Sequence, residues 1–406
     1  MVIRIMRWQI SKLVPRSAPT VLLVLLIAAM AAFAAVSHLV TRFNANQQAR
    51  GRKLYAQGLI AQNAGDLGSA IDDFRAALTC DPSNSQYQLS LGRALRDTGD
   101  PRRLDEAEAY LLDLWQRTPE NGTINLALAR VAARRGSIED ALRYYHNAMY
   151  GVWPSDADAN RRKARLELID FLLQKNARVA AQPELMALAA GLPPGSDLHI
   201  QVARRFDLDQ DYRDAFSEYD QVLRSDHANA AAMAGAGEAA YRLGKYRTAE
   251  RYLRMAVNAD LKDPNIREML ESSSLILATD PFVRRISDAE RDRRIKDAWA
   301  QAGKRLKACT QPSGQPVPSS SAQEPVEQHA ANSSPAPDSL AALQTQWDEM
   351  KPKVPRLRAF GETDLPDAIM DLVFQIEQQT ATQCGEARGP DLALLLISRN
   401  RDAADQ

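Results

Sequence analysis

At 406 residues the chain is long enough for two or three domains or one elongated array, and its 51 basic side chains equal its 51 acidic ones, a balance that favours neither nucleic acid nor a strongly charged substrate. Alanine, leucine and arginine are abundant while glycine and proline fall at regular points, which suits many helices joined by short breaks and argues against a sheet.

Residues 1–17 form a basic amino-terminal segment with Arg4, Arg7, Lys12 and Arg16, and residues 18–41 carry no charge at all. At about 1.5 Å per residue that stretch spans a hydrocarbon layer of roughly 30 Å, so a transmembrane helix over 18–41 is expected. Its rival is a cleaved signal peptide, since Ala32 and Ala34 satisfy a small-x-small cleavage rule. Arg42, Arg50, Arg52 and Lys53 beyond the stretch match the four basic residues before it, so loop charge barely discriminates its orientation.

Between residues 51 and 278 a pattern recurs every thirty-odd residues. Its first copy reads Gly58, Gly65-Asp66, Ala70, Phe74, Ala77 and Pro82, and its second Gly92, Gly99-Asp100, Ala107, Leu111, Leu114 and Pro119, with extra residues at 101–103 expected in the turn. The third has Ala129, Gly136, Ala141, Tyr145 and Ala148, then departs at Gly151-Val152-Trp153-Pro154. A degenerate pair of helices without a turn glycine is expected over 160–190. The fifth copy has Ala203, Asp211, Ala215, Tyr219 and Val222, and the sixth Gly237, Gly244, Ala249, Leu253 and Ala256; Pro264 then opens an apolar helix suited to cap the stack. Small residues permit helices to cross closely, glycine makes the turn, and the aromatic and alanine positions meet the next hairpin.

This spacing resembles the tetratricopeptide repeat, a family of antiparallel helical hairpins that stack into an α-solenoid. The resemblance implies an all-α fold and protein–protein binding on the concave face. It also implies that the first helix of each pair lines that face, which places Arg93, Arg96, Arg130, Arg134, Arg204, Tyr241 and Arg242 where a partner would lie. Arginine's planar fork suits carboxylates, so the expected partner is another protein offering an acidic segment or a carboxy-terminal tail. The alternative is that these arginines merely solvate exposed helix faces. Tyr55 and Leu59 stand where some family members carry a lysine-and-asparagine clamp for chaperone tails, which disfavours a chaperone co-factor.

A charged helix is expected over 279–309, with Ala298, Trp299, Ala302 and Leu306 as its buried stripe. Residues 310–338 are rich in proline, serine, glutamine and alanine and read as a disordered linker. A small helical carboxy-terminal module over 339–406 follows, with Ile369, Leu372, Val373 and Ile376 on one face and a short strand or helix over 392–397. Cys309 and Cys384 bracket the linker and are candidates for a disulfide; bridged, they imply an oxidising compartment, hence a single-pass protein of the inner (cell) membrane with its repeats in the periplasm. Two unrelated thiols are the alternative.

The five histidines have no ligand or triad spacing, and there is neither an HExxH sequence nor a phosphate-binding glycine loop. No enzyme, metal site, cofactor, nucleic-acid partner or small-molecule substrate is expected. The function expected is that of a membrane-anchored scaffold or assembly factor; the alternatives are an envelope chaperone for unfolded substrates and, more remotely, an enzyme within the terminal module.

Overall fold

A computed structural model of the protein describes residues 18–310, 340–357 and 364–404. The basic segment expected over 1–17 and nearly all of the linker expected over 310–338 lie outside them. The described residues form seventeen α-helices and one 3-10 turn, with a single isolated parallel bridge between Asn121 and Val152 and no strand. Contacts divide the chain into two compact units, 1–184 and 185–406.

The first helix, α1, runs unbroken over Ala18–Asn63. Its residues 22–43 expose their leucines, valines, Ile27, Met30 and both phenylalanines, whereas from Gly51 onward it packs into the first hairpin. Membrane segment and first repeat helix, read from the sequence as separate, are therefore one element about 69 Å long. The cause is an absence: between Pro19 in its first turn and Gly51 there is neither proline nor glycine to break it.

The rest of the first unit is a series of antiparallel hairpins built from α2 (Leu67–Cys80), α3 (Ser85–Asp97), α4 (Pro101–Arg117), α5 (Gly122–Arg135), α6 (Ile138–Tyr150) and α7 (Ala157–Gln174). Gly65, Gly99 and Gly136 turn the chain with φ of +81°, +71° and +78°, a region in which a side chain would be strained. Asp66, Asn84, Asp100, Asn121 and Ser137 then cap the helices that follow by accepting from their first free amides. Where the hairpin helices cross, a Cβ on Gly58 would come within 2.6 Å of the Phe74 ring. Residues 101–103, expected to lengthen a turn, instead form the first turn of α4, because proline needs no partner for its missing N–H at the start of a helix.

α8 (Arg178–Ala190) contains both Pro183 and the division between the units. Left-handed Asn176 (φ +55°) makes the turn before it in place of the missing glycine, and Gln210 (φ +63°) does the same in the fifth hairpin. The second unit continues with α9 (Leu198–Leu208), α10 (Tyr212–Ser225), α11 (Ala230–Arg242), α12 (Tyr246–Asn258) and α13 (Pro264–Thr279).

Beyond the repeats, α14 (Asp288–Thr310) packs with α15 (Leu340–Met350), α16 (Leu365–Gln383) and α17 (Pro390–Ala404), the last of which also packs on α13. Thr310, assigned to the linker from sequence, ends α14, and 392–397 is helical. The expected stripe of α14 is buried together with Ile295, and Trp299 stacks on Trp347 with ring centroids 3.4 Å apart. Cys309 and Cys384 form a disulfide with Cα atoms 5.7 Å apart. Next to it Arg305 donates to the Thr380 hydroxyl (2.7 Å), the Gly385 carbonyl (3.0 Å) and Asp391 (3.0 Å). Glu377, with none of its surface exposed, lies 3.5 Å from Arg305. Burial pushes its carboxyl up to about 8, the Asp391 charge adds to the rise, and Arg305 opposes it.

Two outcomes follow from this packing. A Cβ on Gly237 would meet Leu253 at 2.7 Å and the Leu253 backbone nitrogen at 3.0 Å, so Gly237→Val is expected to lower stability by about 1–3 kcal/mol, read as the denaturant midpoint of the full chain in detergent. For Glu377 the folded carboxyl holds its proton to a higher pH than the unfolded one, so its contribution is intact below pH 4.5 and is lost as pH rises towards 8. Glu377→Gln should flatten that part of the stability profile, gaining roughly 1–4 kcal/mol over the native chain at pH 8 and little at pH 4.

Candidate functional site

Three helices of the first unit, α3, α5 and α7, line a groove of about 770 Å³. Arg96 and Asp97 come from α3, Arg130, Ala133 and Arg134 from α5, and Glu167, Asp170, Phe171 and Gln174 from α7, joined by Tyr145 and Lys175. Three of the four arginines expected here thus share one surface, and the fourth, Arg93, sits half-buried beside them.

The surface is less uniformly basic than the sequence implies. Arg130 makes a two-pronged ion pair with Glu167, at 2.8 and 2.7 Å, and Arg96 pairs with its neighbour Asp97. Burial lifts the Tyr145 hydroxyl above its usual range, and the nearby Glu167 charge adds to the effect. These contacts order the groove wall. Arg93 differs: its buried Nε has no hydrogen-bond partner, burial holds its guanidinium below the usual range, and the charges of Arg130 and Arg96 push it down further. Among the described residues no carboxylate stands within ion-pair distance of Arg93, Arg134 or Lys175. The groove can hydrogen-bond and pair with anions.

Glu167 was missed from sequence because the fourth hairpin reads as degenerate, yet a signal existed. The same 37-residue step separates Arg93 from Arg130 and Arg130 from Glu167, so the glutamate occupies the next hairpin's copy of the arginine position.

In the second unit Arg204 is exposed, Arg242 lies 3.7 Å from Glu238, and Tyr241 packs edge-on against Tyr246. Burial raises the Tyr241 hydroxyl. Sequence reasoning did not single out Asp207, which accepts from the Tyr219 hydroxyl at 2.7 Å and is pushed up to about 6 by burial. Nor did it single out His199, whose Nδ1 and Nε2 face Glu218 (2.6 Å) and the Pro193 carbonyl (3.1 Å). Among the described residues no group of three or more histidine, cysteine, aspartate or glutamate side chains is placed to hold a metal ion.

Comparison with known proteins agrees with the hairpin geometry. Residues 55–122 and 208–272 each match a family model described as a tetratricopeptide repeat. No curated protein matches the sequence. Similar solved structures include PilF of Pseudomonas aeruginosa (16% identity over 55% of this chain and 97% of that one, TM-score 0.37). PilW, described as a widely conserved type IV pilus biogenesis factor, is 15% identical over 54% of this chain and 98% of its own, with a TM-score of 0.38. A tetratricopeptide repeat protein from Parabacteroides merdae is 14% identical over 86% and 99%, with a TM-score of 0.31. With capped hairpins, left-handed turns and small crossing residues in the repeat's register, and two stretches matched by the repeat's own models, residues 55–122 and 208–272 are tetratricopeptide repeats.

Proposed function

We propose that the protein is a non-catalytic scaffold or assembly factor, held in the membrane by α1, that grips an acidic segment of a partner protein in the groove of its first unit. The observation that carries this reading is Arg93, a half-buried cation beside two further arginines and without a carboxylate of its own. Removing a charge from water without pairing it is costly, and a partner's carboxylate supplies the missing counter-charge. Arg134 and Lys175 extend the unpaired positive surface along the same groove.

Two features support placing the repeats outside the cytoplasm. The exposed apolar length of α1 suits a membrane anchor, and the Cys309–Cys384 disulfide belongs to an oxidising compartment. The repeat family usually binds proteins without catalysing reactions, in keeping with this reading.

The groove is tested by fluorescence anisotropy of the full chain in detergent with labelled peptides. A hexaglutamate peptide is expected to bind, a hexaserine peptide is not, and replacing Arg93, Arg96, Arg130 and Arg134 by serine should weaken hexaglutamate binding at least tenfold. Binding of acidic peptide, neutral peptide and a reduced unfolded protein alike, undiminished by the substitutions, overturns the dedicated site in favour of a chaperone. Compartment is tested separately by alkylating intact cells with a mass-tagged thiol reagent before and after reduction. Cys309 and Cys384 should label only after reduction; free labelling of both removes the main support for an extracytoplasmic array.

A further inference from the structure

The position of α1 gives one end of the first unit a special status. The helix enters the packed hairpins at Gly51, where a Cβ would touch Cys80 at the end of α2 and Tyr87 at the start of α3. Because the helices alternate in direction, that same end carries the α4–α5 and α6–α7 connections. Contacts trace it: Gln88 in the first turn of α3 donates to Asp113 near the end of α4 (3.0 Å), and the Gly122 amide at the start of α5 donates to the Val152 carbonyl (2.9 Å). The Val152 amide donates in turn to Glu120 (2.8 Å), which fixes the α6–α7 loop to its neighbour.

This loop is where the third repeat, after Tyr150, abandons its pattern for Gly151-Val152-Trp153-Pro154. Beyond residue 43, the strongly exposed large apolar side chains of the first unit are Ile60, Tyr150, Val152 and Val179. Ile60 and Val179 stand singly, but Tyr150 (79% exposed), the last residue of α6, and Val152 (64%), in the loop that follows it, are two residues apart on a segment held rigid from behind. Trp153 does the holding: its indole donates to the Ala148 carbonyl at 2.9 Å and its ring lies over Gly122.

We propose that the α6–α7 loop is a second membrane contact, in which Tyr150 and Val152 enter the interfacial layer of the bilayer that α1 crosses. Tyrosine, with an apolar body and a polar tip, is suited to that layer. The geometry reaches. From residue 41 to Gly51 the helix rises about 15 Å, whereas the headgroup layer is roughly 5–8 Å thick. With neighbouring helices about 8–10 Å apart, the loop lies roughly 30 Å to the side of α1, where a helix tilt of about 20° lowers it by about 10 Å. The uncharged stretch 18–41, about 36 Å long as a helix, exceeds the hydrocarbon thickness and favours such a tilt. The inference rests on α1 being retained as an anchor.

The test uses the full chain reconstituted in phosphatidylcholine–phosphatidylglycerol vesicles, with Cys80→Ser so that a single thiol takes an environment-sensitive fluorophore while the disulfide stays closed. Probes are placed at V152C and, at the opposite end of the hairpins, at R103C. Quenching by a lipid carrying a spin label near its headgroup should be at least threefold stronger at V152C. Equal, weak quenching in chains that float with the vesicles overturns the contact while leaving the anchor intact. Chains that fail to float overturn the anchor itself. Probe self-quenching that disappears on dilution with unlabelled chain, without lipid quenching, overturns the contact in favour of a second copy as occupant. A probe at S155C should lose its lipid quenching when Tyr150 and Val152 are both replaced by serine, exposed changes that leave the helices in place.

Discussion

The fold depends on how closely two helices of a hairpin can approach, and that is set by single residues without a side chain. At Gly58 the neighbour is the Phe74 ring, at Gly92 Leu111, and at Gly237 Leu253, each near enough that an added carbon would displace it. These contacts are local in sequence but not self-sufficient, because each hairpin leaves an apolar face that only the next can cover. In the first unit the buried residues from Ala70 to Ala181 accordingly form one cluster shared by successive hairpins. The groove inherits its precision from this stacking, since α3, α5 and α7 each present charged side chains from backbones that the crossings hold.

Charge is used differently in the two units. In the first, ion pairs such as Arg130–Glu167 tie one hairpin's groove face to the next and leave Arg93 uncompensated. In the terminal module, Arg305 reaches Thr380, Gly385 and Asp391, so one guanidinium joins α14, α16, the loop after it and α17. Both arrangements exploit the five donors of arginine in a fixed plane, which lysine could not reproduce.

Much of this was legible in the sequence where local chemistry decides the outcome. Gly65, Gly99 and Gly136 announce turns because few other residues tolerate their conformation, and Phe74 and Leu111 recur opposite small partners for a steric reason that spacing alone reveals. Legibility fails where tertiary surroundings choose. Asn176 and Gln210 adopt the left-handed turn without being glycine, and Pro101 extends a helix where an insertion in a turn was expected. The continuity of α1 was obscured because the apolar pattern ends at 41 and the repeat begins at 51, although the intervening residues contain no helix breaker. In the groove, the arginines were identifiable by register, but the carboxylates that occupy two of them come from Asp97 and a hairpin whose pattern had decayed. Cys309 and Cys384 could be paired as candidates, while their separation in space is a property of the packed module alone.

That disulfide spans 75 residues of chain and encloses everything between the end of α14 and the end of α16. A protease that severs the backbone once between the end of α14 and the start of α16 therefore releases nothing: the two fragments stay covalently joined through the bridge. The cut becomes visible only when a reductant opens the bridge, so the same molecule would run as one species on a non-reducing gel and as two on a reducing one.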